Sequence, residues 1–133
     1  MAERPVNILL VDDCEGIRFL VSEILEEAGY RVTAVPDGNA ALLAARRQIP
    51  DIVITDLSMT GLPVSEVIRV LRADHPDIRI IILSGLMDEL TCQAIMTSGI
   101  TRSRVDAVID KSLAPELLVD TVKRLLGEET ATI

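Results

Sequence analysis

The chain has 133 residues, a formal net charge of −8, a sequence pI near 4.6, and 49% hydrophobic against 26% charged residues. That length fits one compact domain, and the apolar share excludes a wholly disordered acidic chain. The acidic balance argues against phosphate-backbone binding, which needs clustered Lys and Arg, and with Phe19 and Tyr30 the only aromatics there is no stacking platform for single strands.

Residues 6–11 (VNILLV) form an almost unbroken apolar run, which predicts a strand covered on both faces. Residues 15–28 follow with Ile17, Leu20, Val21, Ile24, Leu25 and Ala28 at helical spacing, and Gly29 stands where a left-handed residue closes a helix. A second strand is predicted over 30–35, and Asp37 is placed to cap a helix reaching about Gln48. A third strand over 52–55 runs into Asp56, and a helix is expected over 65–72. Then come a fourth strand over 79–83 (RIIIL), a helix over 88–98 closed by Gly99, and a fifth strand over 105–109. Pro115 suits the first turn of a last helix over about 114–126, and the tail from Gly127 is expected to fray. Alternating strands and helices imply an α/β domain: a five-stranded parallel sheet, doubly wound, with helices on both faces. One domain is expected over 1–133, its core at about 6–126.

Cys14 and Cys92 lie far apart and belong to no CxxC or Cys/His cluster, so free thiols in a reducing, cytoplasmic setting are expected. No secretory leader and no apolar stretch of membrane-spanning length is visible, so no membrane association is expected.

The residues that terminate the strands are the informative ones. The first strand runs into Asp12 and Asp13, the third into Asp56, the fourth into Ser84 and Gly85, the fifth into Asp110 and Lys111. In an open α/β sheet the carboxyl ends of the strands share one edge, where ligands bind. Three carboxylates gathered there repel unless a cation or protons intervene, and hard oxygen ligands without His or Cys favour Mg2+. Lys111 would offset the charge of a phosphate, Ser84 offers a donor to it, and a carboxylate such as Asp56 can act as nucleophile to form an aspartyl phosphate. The plain alternative is that each is a cap or turn residue: Asp13 capping the first helix, Ser84 opening a turn. The joint pattern at four of five strand ends favours a functional cluster.

The ordered set VDD (11–13), TDLSM (55–59), LSG (83–85) and Lys111 resembles the receiver domain of two-component response regulators, over nearly the whole chain. The resemblance implies the flavodoxin-like strand order 2-1-3-4-5. It also implies Mg2+ on Asp12, Asp13, Asp56 and the Ser58 carbonyl, and phosphoryl acceptance on Asp56 from a histidine kinase or histidine phosphotransfer protein. Ser84 and Lys111 would contact the phosphoryl group, Ser84 as the switch hydroxyl. A phosphate of about −2 charge gives both residues new partners, which could bias a two-state surface for a protein partner.

The chain departs from the family pattern in several places. Ser112 follows the lysine where proline in a cis peptide is usual, so either strain is borne there or the loop is rebuilt. Val108 stands where Tyr or Phe is usual, so the familiar aromatic rotation cannot operate. The stretch 99–111 is longer than usual and carries Arg102 and Arg104, while Thr60 and Val64 replace a common Pro and Gly. Phosphorylation chemistry is expected to be intact and the output surface unusual. The lone His75 reads as a solvated loop residue, Arg46-Arg47 and Lys123-Arg124 as helix-end charges, and Met87, Met96 and Cys92 as core filling.

A phosphorylation-dependent signalling module, not a turnover enzyme, is the leading expectation, assisting its own phosphorylation and dephosphorylation. A pseudo-receiver that binds proteins without phosphate is disfavoured by the complete Asp12, Asp13, Asp56, Ser84 and Lys111 set. A Mg2+-dependent phosphohydrolase of the haloacid-dehalogenase type needs a second Asp where Ser58 stands. No output domain is recognised, so either a stand-alone regulator or a receiver from a longer regulator or hybrid kinase fits.

Overall fold

The computed structural model describes residues 5–57, 61–85 and 105–127. The helix expected over 88–98, with Met87, Cys92 and Met96, lies outside them, as do Ser58, Thr60, Arg102, Arg104 and the tail beyond Gly127.

In chain order the described elements are β1 (Asn7–Val11), α1 (Glu15–Glu27), β2 (Arg31–Val35), α2 (Gly38–Arg47), β3 (Ile52–Asp56), α3 (Val64–Asp74), β4 (Arg79–Ser84), β5 (Ala107–Asp110), a 3₁₀ turn (Lys111–Leu113) and α4 (Ala114–Leu126). All strand pairings are parallel, in the order β2-β1-β3-β4-β5. Strand order reverses direction across the sheet between β2 and β3, so β1 and β3 are neighbours although a strand intervenes in sequence.

Alternation of side chains across the pleat explains the unbroken apolar strands. Leu9, Val11, Val53, Ile80 and Ile82 face one way, onto Ala41 and Ala45 of α2 and Val67, Ile68 and Leu71 of α3. Ile8, Leu10, Ile52, Ile54, Ile81, Leu83 and Ile109 face the other way, onto Val21 and Leu25 of α1 and Leu118 and Val122 of α4. Each fully buried Leu or Ile contributes roughly 1.5–3 kcal/mol relative to exposure, so both faces hold the sheet rigid beneath its loops.

Local sequence signals match the structure at two caps. Asp37 accepts a 2.8 Å hydrogen bond from the Ala40 amide at the start of α2, and Gly29 takes φ 101 after α1, a conformation costly for other residues. At the start of α2, Gly38 has another reason to be glycine. A Cβ there would stand 2.8 Å from Val67 Cγ2 and 3.3 Å from the Leu62 carbonyl, so glycine lets α2 close on the loop that follows β3.

Element ends differ from the expected ones by one to two residues. Tyr30 precedes β2 as a buried residue, while Asp56 and Ser84 belong to β3 and β4. The fifth strand begins at Ala107 rather than at residue 105, because Asp106 uses its side chain at this edge. Its amide donates to the Ile80 carbonyl at 2.8 Å, and its Oδ2 accepts from the Ile80 amide at 2.7 Å and from Arg72 Nη2 at 2.9 Å. Arg72 Nε donates to the Ile78 carbonyl at 2.9 Å, so one guanidinium ties the end of α3 to β4 and β5. His75, expected to be solvated, is half-buried at the end of α3, against the mixed lining of an open cleft with Pro50, Asp77 and Leu125.

Replacing Asp106 by Ala leaves the Ile80 amide without its carboxylate acceptor and removes the carboxylate partner of Arg72 Nη2. Urea unfolding should show a loss of roughly 1–3 kcal/mol, and Asp106→Asn, which keeps an acceptor oxygen, should lose less.

Candidate functional site

Sheet register gathers the polar strand ends. Val11 pairs with Thr55, which sets Asp12 beside Asp56 as the two chains leave the sheet. Asp56 pairs with Leu83, and Ser84 with Asp110, so Ser84 and Lys111 follow at the same edge. Asp12, Asp56 and Ser84 are buried, whereas Asp13 is exposed. Carboxylate oxygens of Asp12, Asp13 and Asp56 lie within 4.8 Å of one another.

Lys111 answers this crowding. Its Nζ stands 3.1 Å from Asp12 Oδ2 and 3.3 Å from Asp56 Oδ1. Burial of the ammonium works against its charge, but the contact with Asp12 and the charges of Asp56 and Asp12 outweigh this and raise its pKa above the usual lysine value. Three carboxylates against one ammonium still leave an excess of negative charge. Asp12 Oδ2, fully buried, has charge compensation from Lys111 but no aligned hydrogen bond. An all-oxygen set of this span with surplus negative charge fits a hard divalent cation of the Mg2+ type.

The backbone around the carboxylates is tied down as well. Asp12 Oδ1 accepts from the Cys14 amide at 2.9 Å, and the Asp12 carbonyl accepts from Arg18 Nη1 at 2.7 Å. Thr55 donates its hydroxyl to the Asp56 carbonyl at 3.0 Å. The residue before α1 is Cys14, exposed and free, so Asp13 is not the helix cap of the plain alternative. Ser84 likewise ends β4 rather than opening a turn.

The loop after the lysine is rebuilt. The Lys111–Ser112 peptide is trans, as are all those of the described residues. Asp110 Oδ1 accepts from both the amide and the hydroxyl of Ser112, each at 2.8 Å, closing a 3₁₀ turn that leads into α4. These two bonds hold the Asp110 carboxyl below its ordinary pKa. Val108, in the place of the usual aromatic, is exposed on β5, the sheet edge strand.

Arg18 and the paired role of Asp110 and Ser112 are not among the residues that the sequence singles out. A basic residue on the first turn of a helix that follows two aspartates is the one signal pointing to Arg18; Asp-x-Ser directly after a strand is the signal for the turn.

Two outcomes test these electrostatics. Lys111→Met, which leaves two buried carboxylates without their cation, should lower stability at neutral pH in chelator by roughly 3 kcal/mol, with part regained on adding Mg2+. Asp110, its folded pKa depressed, stabilises the turn above the unfolded carboxylate pKa of about 3.9 and loses that contribution as pH falls through the lower folded value. The Ser112 amide resonance should accordingly titrate at a pH below the ordinary Asp range.

Residues 8–123 match the response regulator receiver domain family. The DNA-binding response regulator MtrA of Mycobacterium tuberculosis is 33% identical over 120 residues, covering 90% of this chain and 50% of MtrA. Chemotaxis response regulator CheY4 of Vibrio cholerae superposes with a TM-score of 0.77 at 27% identity, covering 92% of this chain and 99% of that one. Response regulator TrrA of Thermotoga maritima, solved with Mg(2+)-BeF, gives 0.74 at 31% identity over 90% and 98%. The chain spans about half or less of the length of the mycobacterial regulators it matches. Among the described residues no helix is long and apolar enough to cross a membrane. With its strand order, its acidic crevice and a family match over most of its length, the chain belongs to the receiver domain family of two-component response regulators.

Proposed function

We propose that the chain accepts a phosphoryl group on Asp56 and relays it as a change of protein-binding surface. The observation that carries this reading is the convergence of Asp12, Asp13 and Asp56 within 4.8 Å, with the Lys111 ammonium 3.1 and 3.3 Å from Asp12 and Asp56.

In this mechanism Asp12, Asp13 and Asp56 would hold Mg2+, which would screen the charge of a phosphate approaching a carboxylate. Asp56 attacks phosphorus, and the new P–O bond forms as the P–N bond to the donor histidine breaks. Lys111 turns from Asp56 towards the incoming phosphoryl oxygens, while Asp12 stays anchored by the Cys14 amide. Ser84, buried at the end of β4 beside Asp110, is the hydroxyl that follows the added charge. Val108 has no ring to swing, so the shift would pass through the Ser84 backbone and the segment after it.

A histidine kinase or phosphotransfer protein is the proposed donor, in the cytoplasm. Phe19 and Leu20 near the start of α1 and Leu113 and Leu117 at the start of α4 are exposed apolar residues on the helix layer flanking this edge, a surface suited to such a protein. The net charge of −8 supports a protein partner rather than nucleic acid for this chain.

Incubation with Mg2+ and acetyl phosphate, followed by intact mass, should show one phosphate-sized adduct that Asp56→Asn lacks. An unlabelled wild type, under conditions that label an active receiver, would favour the phosphate-independent interaction module.

A further inference from the structure

Asp12 is held at three atoms: Oδ1 by the Cys14 amide, Oδ2 beside Lys111, and its carbonyl by Arg18 Nη1. The third of these has no part in the sheet. β1 ends at Val11, and the Asp12 amide makes the last tie to β2 by donating to the Val35 carbonyl at 3.1 Å. Arg18, on the first turn of α1, reaches back six residues to the carbonyl beyond that point. That carbonyl belongs to the planar peptide joining Asp12 to Asp13. Pinning its oxygen therefore sets the orientation of the one unit that separates the two adjacent carboxylates of the crevice. Asp13 itself is exposed.

From this contact we infer that Arg18 is a positioning residue of the acidic crevice: by holding the Asp12–Asp13 peptide plane it presets both carboxylates for a divalent cation. The inference rests on the reading of the crevice as a metal and phosphoryl site. Two effects of Arg18 oppose each other, so the sign of a change in affinity separates them. As a cation it repels a divalent ion across a short distance; as a donor it removes freedom that the ligands would otherwise lose on binding. The 2.7 Å bond commits the guanidinium to the backbone, so its removal is expected to weaken cation binding.

The test is calorimetric titration of Mg2+ into wild type, Arg18→Met and Arg18→Lys, with thermal unfolding and amide spectra recorded in chelator. Arg18→Met keeps the aliphatic stem and loses the donor; it should weaken Mg2+ binding roughly three- to ten-fold and shift the Asp13 amide before any metal is added. Arg18→Lys, with one donor left, should stay within about two-fold of wild type. Unchanged or tighter binding by Arg18→Met overturns the inference, as does a lowered metal-free melting temperature with no change in affinity, which marks a merely structural bond. Should Arg18→Met not fold, Arg18→Gln, uncharged and too short to reach, is read by the same criteria. A wild type that neither binds Mg2+ nor takes phosphate from acetyl phosphate defeats the reading of the crevice itself, and the inference with it; a wild type that does both isolates the contribution of Arg18.

Discussion

Everything at the carboxyl edge of the sheet depends on the Lys111 ammonium lying between Asp12 and Asp56. Two carboxylates that deep in a protein repel each other and resist desolvation. One cation at 3.1 and 3.3 Å makes their burial tolerable. The compensation is incomplete, because Asp13 joins the same cluster. The folded chain thus keeps a crevice with unmet negative charge, and the proposed cation and phosphoryl chemistry starts from that surplus.

That arrangement requires a rigid frame, and the frame comes from burial on both faces of the sheet. Leu10 and Ile54 point to α1 and α4, Val11 and Val53 to α2 and α3, so neither layer can slide without exposing a full stripe of branched side chains. Register then decides which polar residues meet: pairing of Val11 with Thr55 brings Asp12 to Asp56, and pairing of Ser84 with Asp110 brings Lys111 to both. A one-residue slip would exchange the side chains of the two packed faces and misplace the polar strand ends together. Stability of the core and geometry of the crevice are the same constraint seen at two places.

Around this frame, polar side chains supply bonds that strands and helices cannot. Asp106 completes the ladder where β5 starts late, with Arg72 joining α3 to the same point. Asp110 closes the turn after Lys111 through Ser112, in a chain that lacks the usual proline there. Arg18 holds the Asp12 carbonyl. Each bond anchors backbone near an edge where the sheet runs out, and each lies at a boundary between a regular element and its neighbours.

Much of this is legible in the residues alone. Continuous Val, Ile and Leu runs announce buried parallel strands, Asp37 announces a cap, and aspartates after the first and third strands announce a shared acidic edge, because hydrophobic period and strand direction are local properties. Strand boundaries at Asp56, Ser84 and Ala107 are less legible, since the last ladder bonds depend on what the neighbouring strand offers. The contacts of Arg18, Arg72 and Asp106 cannot be read in advance: each joins a flexible or short side chain to backbone brought near by folding. Sequence by itself determined the alternation, the two-faced burial and the chemical types at the strand ends. Only the tertiary structure decided which oxygen faces which nitrogen, because that depends on register, on the closing of helices over the sheet, and on distances that no spacing along the chain encodes.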